Sequence, residues 1–335
     1  MSIKILKSGL FSTIQDLGRF GFQDQGFSIA GAMDEYAFTL GQKLIGNEGP
    51  AIECTLIGPT IEFMSDNTIV ITGGCFDAKL NDVKIAHQTV VAVKKGDVLS
   101  CNQVLRGARG YILFGRPLAI SQIAGSYSTH TRSNIGGYKG RKLKNNDVIN
   151  TKQCNRYQEH IGYCYADEIV NYDATTIHIV EGPQSEAFSS TAITDLVSTE
   201  FTISENADRM GYRLNGTTIQ PQQSADIISE PVALGSIQVP NDGNPIILLN
   251  DKQTVGGYTK IANVCQSDLS ILAHKKPGDK LNFQWISIKE ATDKLIEQKQ
   301  KFAEILTSID EQPQFDLTQM RRTATKINTL LKGEL

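Results

Sequence analysis

Long apolar runs are missing from this chain. No stretch approaches the roughly 18 residues that cross a bilayer, so a membrane-spanning helix is not expected. Charge of one sign is missing too. Lys and Arg number 33 against 36 Asp and Glu, a net charge of -3, and neither nucleic acid nor an anionic membrane surface is an expected partner. The opening MSIKILKSGLFSTIQD turns polar too early for a secretion signal. None of the six cysteines (Cys54, Cys75, Cys101, Cys154, Cys164 and Cys265) sits in a CxxC pair. That is cytosolic usage, with thiols packed as small hydrophobes, and it places the chain in the cytoplasm. Cys154, His160 and Cys164 fall close together, but their spacing matches no standard zinc pattern and no metal site is expected.

Several sequence motifs are absent as well. There is no GxxxxGK[ST] phosphate loop, no GxGxxG opening a helix after a strand, no GxSxG nucleophile elbow and no Met-Lys-Met of a biotin carrier. If biotin takes part, it arrives on another protein.

What is present reads as mostly β. At 335 residues, 40% hydrophobic and 21% charged, the chain is long enough for two domains. Short runs rich in Ile, Val, Thr and Phe, such as 68–72, 89–93, 110–114, 176–180 and 200–204, are separated by Gly, Asn and Asp. This spacing predicts barrels or sandwiches rather than alternating βαβ units. Residues 33–44 have helical spacing with Gly46-Asn47 suited to end it, and Gln15 to Gly26 form a polar loop. In that loop Asp16 and Arg19 are read either as a structural ion pair or as part of a cleft wall. Residues 288–305 read as a surface helix, Pro313 interrupts it, and a second helix is expected from about Leu317 to Leu331.

Two echoes point to an internal duplication: 56–63 with 180–188, and Asn134-Ile-Gly-Gly-Tyr138 with Thr254-Val-Gly-Gly-Tyr258. The resulting division is 1–172 for a first barrel, 173–287 for a second and 288–335 for a helical extension.

The stretch with most chemistry runs from Ser229 to Leu269. Pro245-Ile246-Ile247-Leu248-Leu249 reads as a buried strand, followed at once by Asn250, Asp251, Lys252, Gln253 and Thr254 and then by Gly256-Gly257-Tyr258. Polar groups released at a strand end beside a Gly-Gly turn are suited to a small-molecule site. Gln238, Asp251, Gln253 and Tyr258 offer donors and acceptors to an amide-like ligand. Two further groups carry cations: the loop Gly136-Gly137-Tyr138-Lys139-Gly140-Arg141, and Asp208-Arg209-Met210-Gly211-Tyr212-Arg213. The alternative for the second is a surface Arg paired with Asp208. The carboxylate of Asp251 is expected to project into a cleft between the barrels and to face Arg19 or Arg141.

These motifs, with Gln15-Asp16-Leu17-Gly18-Arg19, Gly31-Ala32-Met33-Asp34, Gly58-Pro59 and Gly235-Ser236-Ile237-Gln238-Val239-Pro240, resemble the allophanate-hydrolase-subunit-2 family. This family is also called the biotin-dependent carboxyltransferase family, and it takes in the C subunit of 5-oxoprolinase. The resemblance covers about 15 to 285, and Lys252 departs from the Arg often found there. It implies two cyclophilin-like β-barrels and a heteromeric complex with a subunit-1-type sister protein. With a third subunit, such a complex hydrolyses the lactam 5-oxoproline to glutamate using ATP. The alternatives are a carboxyltransferase component acting on urea or another amide with biotin in trans, or a non-enzymatic regulatory partner of a kinase-inhibitor-like subunit. The chain carries no biotin carboxylase or carrier segment, which favours the 5-oxoprolinase reading. The expected catalytic residues are Asp251, Gln253 and Arg141. The expected substrate-binding residues are Gln15, Asp16, Arg19, Asp34, Tyr138, Arg209, Arg213, Gln238, Gly256, Gly257 and Tyr258.

Overall fold

A computed structural model describes residues 1–316; the helix expected at 317–331 lies outside them. Among the described residues no helix is long and apolar enough to cross a membrane. The fold is mostly β and is built on two large sheets. The first has nine strands and curls without closing. Its path runs through Phe11–Gln15, Ala51–Thr55, Val98–Phe114, Thr60–Phe63, Ser2–Lys7 and Val148–Asn150, and the long strand Asn67–Leu80 also pairs with Val98–Phe114. Alternation explains its inner face: Ile3, Ile5, Ile52, Ile61, Phe63 and Ile112 are all buried in one cluster.

The second sheet closes into a seven-stranded barrel. Thr176–Glu181 pairs antiparallel with Lys260–Val264 and parallel with Lys280–Trp285, and that parallel seam closes the ring. Ile177, Ile179, Phe201, Leu214, Ile237, Ile247 and Phe283 fill its interior. The expected strand at 245–249 is Ile246–Leu248, between Gly211–Asn215 and Ser236–Gln238.

Helix α1 (Glu35–Ile45) forms where periodicity predicts it. Asp34 caps it by accepting from the Tyr36 and Ala37 amides at 3.1 and 3.2 Å, and Gly46 ends it at φ 75°. Phe38, Leu40 and Leu44 press onto Val70, Tyr111 and Leu113. His160 meets the Leu44 carbonyl through Nδ1 at 2.9 Å, so the helix end employs the histidine of the Cys154–Cys164 group. Helix α2 is Ser190–Ser198, and the short α3 is Leu269–Ala273. Helix α4 (Ile288–Glu311) starts with a Ser287–Glu290 capping box. It lays Phe302 against Tyr36 at 4.8 Å between ring centroids.

The two Gly-Gly-Tyr echoes are not conformational equals. Gly136 and Gly137 take φ of 67° and 54° in a turn, whereas Val255–Tyr258 is a strand paired with Asp226–Pro231. The turn expected at Gly256-Gly257 is therefore a β-ribbon. In the first case the glycines supply left-handed backbone; in the second, Gly256 gives room, since a Cβ there would sit 2.5 Å from Gln238 Nε2.

The sheets are joined by buried polar bonds. Arg209, 5% exposed, grips Asp251 through Nε and Nη2 at 3.1 and 2.9 Å, reaches Glu53 of the first sheet with Nη1, and donates to the Gly31 carbonyl at 2.6 Å. Arg109 of the first sheet donates to Tyr212 Oη and the Ala273 carbonyl at 2.6 and 2.5 Å. His274 Nε2 donates to Asp34 at 2.9 Å, and burial holds this imidazole below its ordinary range despite the carboxylate beside it. Removing Arg209 would leave two buried carboxylates unpaired. Arg209→Met is expected to lower unfolding free energy by about 3–5 kcal/mol in a denaturant titration. A loss under about 1 kcal/mol would show that the guanidinium does not join the sheets.

Candidate functional site

The strand Ile246–Leu248 is short because its neighbours end there, and residues 249–252 leave it beside the first sheet. That segment is bonded across the junction along its length. Asn250 donates from Nδ2 to the Ala30 and Ala32 carbonyls at 3.2 and 3.0 Å, and its own carbonyl accepts from the Ala30 amide at 3.0 Å. His130 Nε2 lies 3.2 Å from the Asp251 carbonyl, and Ser28 Oγ donates to the Lys252 carbonyl at 2.7 Å. A backbone held at so many points presents its next side chains in one direction.

Those side chains open onto a cleft of about 350 Å³ on the second barrel. Its charged lining is Arg132, Asp208, Arg213 and Lys252, and its polar lining includes Gln238, Gln253 and Tyr258. The cations are in excess. Asp208 is also engaged, accepting from the Met210 and Gly211 amides at 2.7 and 3.3 Å. Lys252 is 6% exposed and has no carboxylate within 4.0 Å among the described residues; its Nζ reaches only the Gln253 carbonyl, at 3.4 Å. Burial lowers its pKa from the usual lysine value. Gln238 is 7% exposed, and its Nε2 finds no acceptor among the described residues. An anionic ligand with a carbonyl would satisfy both groups.

Of the residues expected from sequence, Arg213, Gln238, Gln253, Gly256 and Tyr258 line this cleft. Gly257 is on the same ribbon but looks toward Ser229. Arg209 and Asp251 form the buried pair beneath it. The partner of Asp251 is therefore Arg209, in place of the expected Arg19 or Arg141, because Arg209 comes from the strand edge next to it. Nor does Arg209 pair with Asp208. Arg141 is held elsewhere by Asp147 through two 2.8 Å bonds, which raise its pKa, and Tyr138 donates to the Val148 carbonyl at 3.1 Å.

Gln15, Asp16, Arg19 and Asp34 are committed to protein groups. Gln15 links Thr13, the Thr129 carbonyl and the Gly31 amide. Asp16 accepts from Ser126, Ser128 and the Gly18 and Tyr127 amides, and makes no ion pair with Arg19. Arg19, 1% exposed, donates to the Ile123 and Ser128 carbonyls, each at 2.9 Å. Sequence reasoning did not single out Arg132, which carried no local signal, and it placed Lys252 in the polar run after the strand, and as a departure from Arg, without giving it a binding role. The run Asn250-Asp251-Lys252-Gln253 after an apolar strand was the available signal for Lys252.

Because Gln238 fills the space left by the missing side chain, Gly256→Ala is expected to displace it into the cleft. The cost in stability should be about 1–3 kcal/mol, with ligand affinity reduced. A variant with unchanged melting temperature and unchanged affinity would mean that Gln238 does not pack there.

Comparison with known proteins bears on this geometry. Residues 25–285 match the family model described as carboxyltransferase domain, subdomain A and B. The 5-oxoprolinase C subunit of Haemophilus influenzae is 36% identical over 86% of this chain and 93% of that protein. The protein of the same name from Escherichia coli is 30% identical over 90% of this chain and 97% of that one. The crystal structure of the Kluyveromyces lactis urea amidolyase superposes with a TM-score of 0.81 at 27% identity, covering 90% of this chain and 20% of the amidolyase. With the family model spanning most of the first sheet, the barrel and every residue of the cleft, the chain belongs to the carboxyltransferase-domain family that includes the 5-oxoprolinase C subunits.

Proposed function

We propose that this chain is a subunit of a cytoplasmic, multi-subunit, ATP-dependent 5-oxoprolinase. With a subunit-1-type partner and a third subunit it hydrolyses the 5-oxoproline lactam to glutamate. The observation that carries the choice of substrate is the charge of the cleft. Arg132, Arg213 and the unpaired Lys252 outnumber Asp208. Urea is neutral and leaves those cations without a counter-ion, whereas 5-oxoproline carries a carboxylate next to its lactam. In this reading Arg213 and Lys252 hold the carboxylate, the Gln238 amide donates to the lactam carbonyl, and Gln253 completes the polar wall. Asp251 acts through Arg209 and the backbone as a positioning residue.

ATP is assigned to the partner subunits. The glycines of this cleft lie in a paired strand rather than in a loop opening a helix, so they offer no cradle of amides to phosphate.

Steady-state 5-oxoproline-dependent ATP hydrolysis by the reconstituted complex tests the assignment. The chain alone is expected to show no turnover. Arg213→Gln should raise KM for 5-oxoproline about tenfold to a hundredfold, with a smaller change in kcat. Unaltered KM in a folded complex, or urea carboxylation with no response to 5-oxoproline, would refute the proposal. A pH prediction follows from Lys252. Anion binding needs the ammonium form, so affinity is complete below its pKa and fades above it. Because burial lowers that pKa, the fading begins below the usual lysine value of about 10.4. Lys252→Arg should keep KM flat to higher pH; an alkaline limb identical in both proteins would exclude Lys252 as the anion's partner.

A further inference from the structure

A second cavity, of about 340 Å³, lies between the two sheets on the other side of the Asp208–Gly211 segment. Its wall is largely apolar, formed by Leu10, Phe11, Leu56, Ala207, Tyr212 and Pro277. Three buried cations also line it: Arg209, which is paired with Glu53 and Asp251, and Arg109 and Lys275, 4% and 5% exposed. Neither Arg109 nor Lys275 has a carboxylate within 4.0 Å among the described residues. Arg109 spends Nη1 on the Tyr212 hydroxyl and the Ala273 carbonyl, while its Nε has no acceptor among the described residues. Glu53, the carboxylate whose charge acts on Arg109, is already engaged by Arg209 and by the Met33 amide. Among the described residues Lys275 Nζ donates only to the Tyr172 carbonyl, at 2.8 Å, and burial lowers its pKa against the more distant charges of Asp279 and Asp173. The acids on the cavity's lining, Glu205 and Asp208, are exposed at its mouth, and Lys276 is paired with Asp279 at 3.2 Å.

Buried cations without counter-ions are costly unless something brings the missing charge. A bare inorganic anion would leave the apolar wall wet, and a hydrocarbon would leave the cations unmatched. We propose that this inter-sheet cavity is a second ligand site, taking a small amphipathic carboxylate whose acid group meets Arg109 and Lys275 and whose apolar body lies on Leu10, Leu56 and Tyr212. It is separate from the cleft of Lys252 and Arg213 and does not depend on the 5-oxoprolinase assignment.

Isothermal titration of the full chain with hexanoate tests the proposal, with 1-hexanol and inorganic phosphate as comparison ligands. Hexanoate is expected to bind with one site per chain, at least tenfold more tightly than 1-hexanol, and phosphate to give no saturable signal at this site. Lys275→Met should weaken hexanoate at least tenfold. Leu10 is 52% exposed, so Leu10→Glu leaves the core untouched and should also weaken hexanoate by placing like charge at the mouth. Arg213→Gln should leave hexanoate binding unchanged. Absence of saturable binding, equal affinity for 1-hexanol, or binding that survives Leu10→Glu and is lost in Arg213→Gln would overturn the proposal.

Discussion

One buried guanidinium organises this molecule. Arg209 stands where the open sheet and the closed barrel meet, and its nitrogens are divided between Asp251 on its own barrel, Glu53 on the other sheet and the Gly31 carbonyl in the loop before α1. A buried charge network of this kind adds little net stability compared with a well-packed apolar contact. What it provides is specificity of arrangement, because its acceptors lie in directions that only one relative placement of the sheets satisfies. Asn250, Ser28 and His130 extend the same junction around residues 250–252. Lys252 and Gln253 therefore inherit their positions from the first sheet although their cleft belongs to the second.

The junction also separates two cavities of different character. The cleft on the barrel is polar and cationic, with a ribbon wall whose Gly256 makes room for Gln238. The inter-sheet cavity is mainly apolar, with Arg109 and Lys275 in its lining. Asp208 lines both, and Arg209 lines the second while holding Asp251 next to the first. The segment 208–211 is thus common to both walls.

Much of the fold was legible in the sequence because it rests on local rules. Runs rich in Ile, Val and Thr marked Thr176–Glu181 and the first part of Asn67–Leu80, and helical spacing with Gly46 after it marked α1, whose cap Asp34 was read instead as a ligand-binding residue. The site was legible in part: Arg213, Gln238, Gln253 and Tyr258 do converge on one cleft. Tertiary pairing was not. Nothing local distinguishes Arg209 from Arg19 or Arg141 as the partner of Asp251; the choice is made by which strand edges adjoin. Arg19 looked like a ligand-binding cation, yet it is consumed by loop carbonyls. The Gly-Gly at 256–257 looked like a turn, because glycine pairs signal both left-handed backbone and close approach, and only the neighbour, here Gln238, decides which.

The central claim is that the inter-sheet network holds the cleft residues in place. Amide hydrogen exchange on Glu53→Gln, compared with the unaltered chain, tests it most directly, because this change acts on the first sheet and touches no cleft residue. The account predicts faster exchange at the Asp251 and Lys252 amides, which donate to the Arg209 and Leu249 carbonyls, with Ile177 and Ile179 on the far strand unchanged. Equal protection of Asp251 and Lys252 in the two proteins would contradict it.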